Sequence, residues 1–182
     1  MARRNRKQEL VVAALASFQE KGYEGTSVAD IVDGLGMSKA ALGYHVESKE
    51  QLLFELVEPF IVDLESSLDG LPRHPAWPEE GSYFLTRYLD VLLNHRELVI
   101  WVDADKAVLE HAILGRRLAE ANRRVREAIR GDNRSAAARL GAAAVLGTLW
   151  RPLRSLTDID AAGEKAAILA AAMAVVETVR AS

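Results

Sequence analysis

Apolar residues recur at three- and four-residue intervals along nearly the whole chain and nowhere alternate for long, so helices are the regular structure open to it. From about residue 6 to residue 21, Val11, Ala14, Leu15 and Phe18 share one helical face. Gly22 and Gly25 bracket a break, after which Thr26 or Ser27 can cap a second helix carrying Val28, Ile31 and Val32 and ending at Gly34. The run GLGMS predicts a tight turn with Leu35 buried and Ser38 as the next cap. A short third helix, SKAALGYHV, follows. Ser48, with Gln51 three residues on, predicts a capping box for a fourth helix bearing Leu53, Leu56, Val57, Phe60, Ile61, Leu64 and Leu68. Pro59 inside it predicts a kink or local break.

The second part of the chain continues the pattern. Pro72, Pro75 and Pro78 make residues 70–81 a loop. Helices are expected over 82–94, 97–102 and 103–130, then a turn at Gly131-Asp132-Asn133. Two alanine-rich helices over 135–150 and 161–180 close the chain, separated by a region containing Pro152. The expected fold is all-α, about nine helices, in two domains: 1–51 and 52–182.

At 182 residues and 49% hydrophobic content the chain can bury a real core. No stretch approaches the roughly 20 apolar residues of a membrane span. The basic start MARRNRKQEL leads into an amphipathic pattern rather than an apolar signal run, and cysteine is absent, so a cytoplasmic protein is expected. No disulfide or thiolate chemistry is open to it. The net charge of −3 does not announce a nucleic-acid binder. Within residues 1–51, Arg3, Arg4, Arg6, Lys7, Lys21, Lys39 and Lys49 are matched one for one by Glu9, Glu20, Glu24, Asp30, Asp33, Glu47 and Glu50. Placement of charge, not its sum, must carry any DNA reading.

Residues 27–46 have the proportions of a helix-turn-helix: a short first helix with an apolar inner face, a glycine turn, and a second helix exposing small and polar groups. Ser27, Val28, Ser38, Lys39, Ala40, Ala41, Gly43, Tyr44, His45 and Lys49 are the candidate DNA-facing residues. Ala40 and Gly43 permit close approach to bases, while Tyr44, His45 and Lys49 can donate to phosphates. Helix pairs joined by a glycine turn also serve as plain structural hairpins, and the geometry alone leaves both readings open.

The wording narrows them. Phe18, Gly22-Tyr23, Gly25-Thr26-Ser27-Val28, Ile31, Gly36-Met37-Ser38-Lys39, Leu42, Tyr44-His45 and Ser48-Lys49-Glu50-Gln51-Leu52-Leu53 resemble the N-terminal domain of the TetR family across about residues 6–54. Gly43 stands where that family commonly has a tyrosine and Val46 where it commonly has phenylalanine. Tyr44 is the replacement at hand for the phosphate contact, and a looser seam between the third and fourth helices is expected. The resemblance implies a third helix in the major groove and backbone contacts from the start of the fourth. Beside it, Arg3, Arg4 and Arg6 read as an arm following phosphates or entering the minor groove.

The same resemblance implies that the last two helices pair with those of a second chain and that the middle helices surround a small-molecule pocket. Candidate interface residues are Ala144, Gly147, Leu169, Met173 and Val176, with Gly141 in the same stripe of small residues. Candidate pocket residues are Phe84, Tyr88, Trp101, His111 and Trp150, with Asp103, Asp105 and Arg117 as polar contacts. An aromatic at helical spacing is equally a core residue. An effector would act by preferring an arrangement with wrongly spaced recognition helices, for which a differential affinity of ~1–3 kcal/mol suffices. The expected partners are a palindromic double-stranded operator, a second copy of the chain and an unknown small molecule. The scattered His45, His74, His95 and His111, with no HExxH and no glycine-rich phosphate loop, suggest neither enzyme nor metal site nor cofactor. The competing reading is a helical interaction module that has lost DNA binding.

Overall fold

The structure is a computed structural model describing residues 2–33, 35–36 and 48–181, with backbone alone for 2–6. Among these residues it is all-helical: α1 (Ala2–Gly25), α2 (Val28–Asp33), α3 (Lys49–Ser67), α4 (Glu79–Asn94), α5 (Arg96–Ala104), α6 (Lys106–Glu110), α7 (Leu114–Arg130), α8 (Ala136–Ser155) and α9 (Lys165–Ala181).

The apolar face of α1 buries Leu10, Ala14 and Phe18 against Ile31 of α2 and Leu52, Leu53 and Leu56 of α3. α1 starts at Ala2, so the backbone of the expected basic arm is the first turn of this helix. Its other end is broken at Gly22, where φ is 74° and ψ 161°, a left-handed position that only glycine holds without strain. The expected boundary between residues 51 and 52 falls inside the first turns of α3.

α3 runs through Pro59 without interruption, where a kink or break was expected. Pro59 lies on the exposed face, while Leu56, Val57, Phe60, Ile61 and Leu64 anchor the opposite face in the core. Burying those side chains, each worth about 1.5–3 kcal/mol, outweighs one lost backbone hydrogen bond. Pro152 is likewise inside α8, not between helices, with Leu149 and Leu153 buried on either side. The terminal loop therefore spans only 156–164.

The single helix expected over 103–130 is instead two. Asp105 is extended (φ −109°, ψ 131°) and its carboxylate accepts from the Ala107 amide, capping α6. His111 then turns the chain again, its Nδ1 accepting from the amides of Ile113 and Leu114 at 3.2 and 3.3 Å. Gly115 makes the corner possible, since a Cβ there would sit 2.3 Å from the Leu109 carbonyl oxygen.

α3, α4, α7, α8 and α9 surround one continuous core that includes Phe60, Leu64, Tyr88, Leu89, Leu118, Val145, Leu149 and Val176. Arg117 of α7 ties α3 to it from outside, meeting Glu65 through Nε and Nη2 at 2.8 and 2.6 Å and Glu58 through Nη1 at 2.6 Å. That fork holds the Glu65 carboxyl below its ordinary range, chiefly through the Arg117 hydrogen bond.

Candidate nucleic-acid interface

The helix-turn-helix expectation begins well. Ser27 caps α2: its hydroxyl accepts from the Asp30 amide at 3.2 Å, while its own amide and hydroxyl donate to Asp30 Oδ2 at 2.8 and 2.6 Å. Those hydrogen bonds, the hydroxyl's first, lower the Asp30 carboxyl to about 2. Ser27 is thus committed to shaping the helix start, while Val28 beside it is half-buried. Thr26 is buried and donates back to the carbonyls of Ser17 and Gly22. Leu35 and Gly36 form the start of the turn, with Gly36 at φ 62° and the Leu35 amide donating to Val32. The side chains of Arg3, Arg4 and Arg6, and all of Ser38, Lys39, Ala40, Ala41, Gly43, Tyr44 and His45, lie outside the described residues. So does the seam expected to be loosened by Val46.

Beyond that segment, Ser48 caps α3 by accepting from the Gln51 amide at 3.0 Å, as the capping box predicts, while the Gln51 side chain donates to Glu55. Lys49, expected to meet phosphate, is half-buried and already employed. Its ammonium donates to the Tyr23 carbonyl at 2.9 Å and rests 4.3 Å from the centre of the Tyr23 ring.

Tyr23 is held from its other side as well. Its amide donates to Asp105 Oδ2 at 2.7 Å, the contact that lets one carboxylate cap α6 with one oxygen and grip the helix-turn-helix unit with the other. Around this bond, Trp101 of α5 stacks on Phe18 of α1 at 5.4 Å and Phe18 meets Tyr23 edge-on at 5.2 Å. The joint between the N-terminal helices and the rest thus joins a charged hydrogen bond in an aromatic cluster to the α1–α3 packing and to a bond from the Gln19 side chain to the Glu97 carbonyl at 3.3 Å. Burial, then Glu50 and Glu24, raise the Tyr23 phenol. Sequence spacing gave no means of pairing Asp105 with a residue 82 positions away, although the glycine at 22 marked the place.

Residues 10–56, from the buried face of α1 through both capped helix starts into α3, match the family of bacterial regulatory proteins named for tetR. This stretch is similar to that family's domain. Among curated relatives, the HTH-type transcriptional repressor KstR2 of Mycobacterium tuberculosis is 32% identical over 101 residues, covering 54% of this chain and 50% of that protein. The negative transcriptional regulator of the icaADBC biofilm operon in Staphylococcus epidermidis, IcaR, is 38% identical over 52 residues, 29% of this chain and 28% of that one. The chain spans about half the length, or less, of these curated relatives. A solved TetR transcriptional regulator from Streptomyces coelicolor extends the likeness, with a TM-score of 0.70, 26% identity, and coverage of 92% of this chain and 89% of that one. PfmR of Thermus thermophilus shares the fold, with a TM-score of 0.65 over 96% of this chain and 94% of its own, at 24% identity.

Behind these N-terminal helices, the five expected pocket residues do not line one cavity. Trp101 belongs to the joint with Phe18. His111 caps α7, packs against Phe54 and lies 3.4 Å from Glu50. Phe84 borders a space of about 10 Å³ beside Trp77, scarcely one water. Tyr88 and Trp150 do meet: the indole donates to the Tyr88 oxygen at 2.6 Å, and Tyr88 donates to Asn122 at 2.7 Å. Burial pushes the Tyr88 phenol far up. Of the polar candidates, Asp103 pairs with Arg154 at 2.7 Å, while Asp105 and Arg117 make the contacts above.

Of the expected interface residues, Ala144 and Gly147 are exposed on α8, and Leu169 and Met173 are half-buried on α9. Val176 is 1% exposed and Gly141 packs on Val179, so both serve the chain's own α8–α9 contact. Among the described residues, no group of three or more His, Asp or Glu side chains is arranged to hold a metal ion, and no helix is long and apolar enough to cross a membrane.

Proposed function

We propose that this chain is a cytoplasmic, ligand-responsive transcriptional repressor that binds a palindromic operator as a homodimer and is released by a small-molecule effector. The observation that carries the reading is the match of residues 10–56 to the tetR regulatory proteins. The sense of regulation rests on the relatives named as a repressor and a negative regulator. Base reading falls to the segment holding Ser38, Lys39, Ala40, Ala41 and Gly43. Phosphate contacts fall to Tyr44, His45, the Arg3, Arg4 and Arg6 side chains, and Lys49. One N–H of the Lys49 ammonium is engaged by Tyr23, which leaves two for phosphate. In this reading Ser27 positions α2 rather than touching DNA.

Dimerisation is assigned to the exposed stripe of Ala144 and Gly147 on α8 with Leu169 and Met173 on α9, where small side chains permit close approach of a second pair of helices. One reading helix per chain makes a dimer the natural reader of two half-sites one helical turn apart. The test is selection of bound duplexes from a random library with purified protein, followed by salt titration on the winner. The expected result is a palindrome whose affinity falls steeply with salt, through release of counterions from neutralised phosphates. Lys49→Ala should weaken binding to every sequence, while Lys39→Ala should weaken it uniformly or by sequence. No enriched duplex from ligand-free protein would favour a helical interaction module without DNA binding.

A further inference from the structure

A second charged feature lies at the far end of α7. Its last two turns and the start of α8 enclose a groove of about 580 Å³, within the roughly 300–1,000 Å³ range of small-molecule sites. Arg123, Arg126, Arg130 and Arg139 line it, with the apolar surface of Leu140 and Ala143 between them. This concentration of positive charge runs against a chain of net charge −3. The carboxylate within the groove, Glu127, is taken by Arg123 at 2.7 Å and Arg130 at 3.8 Å. Arg130 also donates to the carbonyls of Gly131 and Asn133. The guanidinium groups of Arg126 and Arg139 have neither a carboxylate nor a hydrogen-bond partner among the described residues, and Arg126 is half-buried. The planar fork of a guanidinium suits carboxylate and phosphate oxygens. Leu140, a large aliphatic side chain 72% exposed in the single chain, stands beside those charges, one turn before Ala144 on α8.

We propose that this groove binds an amphipathic anion, its carboxylate or phosphate head on Arg126 and Arg139 and its apolar body along Leu140 and Ala143. The site is separate from the DNA-facing unit. α7 begins beside His111, which neighbours Glu50, and Arg123 lies nine residues beyond Leu114, roughly 14 Å along the axis. It is nonetheless connected to the interior: Asn122, one turn before Arg126 on the same helix, holds the Tyr88 hydroxyl that also receives the Trp150 indole. As the seat of the effector, the groove rests on the regulator proposed above; binding of the anion does not.

The experiment is calorimetric titration of the full chain with decyl phosphate and decanoate, each below its micellar concentration, beside decanol and inorganic phosphate. One saturable site per chain for either amphiphilic anion is expected, with whichever head binds tighter naming the source. Arg126→Gln with Arg139→Gln should weaken it about 10- to 100-fold, the scale of lost charge-assisted hydrogen bonds. The paired lysine substitution should retain part of the affinity, which separates loss of charge from a damaged fold. Decanol binding as tightly as the anions, or full affinity in the glutamine variant, overturns the proposal. Inorganic phosphate binding equally well makes it an adventitious ion only, which also overturns it. So does a glutamine variant that loses its dimer in sedimentation while the wild type takes no probe, since the groove is then an interface between copies. Addition of the bound anion to the protein–duplex complex is read separately. Anion binding without release of DNA removes the effector role alone, and failure to bind any duplex removes the regulator while leaving the anion site standing.

Discussion

Asp105→Asn isolates the bond between the N-terminal helices and the rest of the molecule. The native carboxylate accepts twice, from Ala107 at 2.9 Å to cap α6 and from Tyr23 at 2.7 Å to hold the α1 break. Asparagine caps helices about as well as aspartate, so its one carbonyl oxygen satisfies Ala107. Its amide nitrogen then faces the Tyr23 N–H, donor against donor. Losing a hydrogen bond to a charged acceptor costs ~1.5–3 kcal/mol, so Asp105→Asn should destabilise by about 2 kcal/mol. Asp105→Ala also removes the cap, adding ~0.5–2 kcal/mol. With a urea m-value of ~2 kcal/mol/M, the midpoints should fall by about 1 M and about 1.5 M. Amide exchange provides the sharper reading, because Tyr23 protection should drop roughly 30-fold in both variants, the equivalent of ~2 kcal/mol. If Asp105→Asn behaves like wild type in urea and at the Tyr23 amide while Asp105→Ala loses only about 1 kcal/mol, the residue is a helix cap and nothing more, and the joint assigned to it is wrong.

Three further outcomes are expected. Ser27→Ala removes the α2 cap and should cost ~0.5–2 kcal/mol in denaturant; by carboxyl NMR the Asp30 titration should move up from about 2 toward the ordinary range. Because that folded value is depressed, the stabilisation is complete above the ordinary aspartate range and is lost only as pH falls through about 2. Arg117→Ala frees the partly exposed Glu65 and Glu58, and after solvent screening should cost about 1 kcal/mol at neutral pH. The lowered Glu65 value gives stability present above the ordinary glutamate range and lost below it, so the variant's deficit should shrink during acid titration followed by circular dichroism. Tyr88→Phe leaves the Trp150 indole N–H and Asn122 without their shared partner and should lower thermal stability by the equivalent of ~1–3 kcal/mol; an unchanged melting temperature would mean the network contributes nothing net.

The helix starts were legible because their signals are local: Ser27 and Ser48 do their capping within three residues, and the glycine at 22 breaks α1 where it stands. The split of residues 103–130 was not, because Asp105 in a polar run looks like any first-turn acid until its distant partner is known. Pro59 and Pro152 misled for the opposite reason. Their local penalty is real, but buried neighbours on the other face decide the outcome. The five aromatic and histidine pocket candidates failed to converge because helical spacing says which residues turn inward, not which inward residues meet. The unpartnered arginines of the α7–α8 groove carry no motif at all. Arginine four residues from glutamate reads as an ordinary surface pair, as Arg123 with Glu127 is, and only geometry separates Arg126 and Arg139 from it.

Tyr23 is gripped by its peptide groups, N–H by Asp105 and C=O by Lys49, while its ring packs edge-on against Phe18 and under the Lys49 ammonium. The two peptide bonds of such a joint are blind to the side chain they hold, whereas the ring contacts ask for an aromatic there. Drift at position 23 from one aromatic to another leaves both bonds and the ring contacts in place, while proline would remove the N–H. The heritable information for the two peptide bonds therefore sits in the grasping residues and in the glycine before them, so across descendants of this chain 22, 49 and 105 should vary together while 23 changes only among aromatic residues.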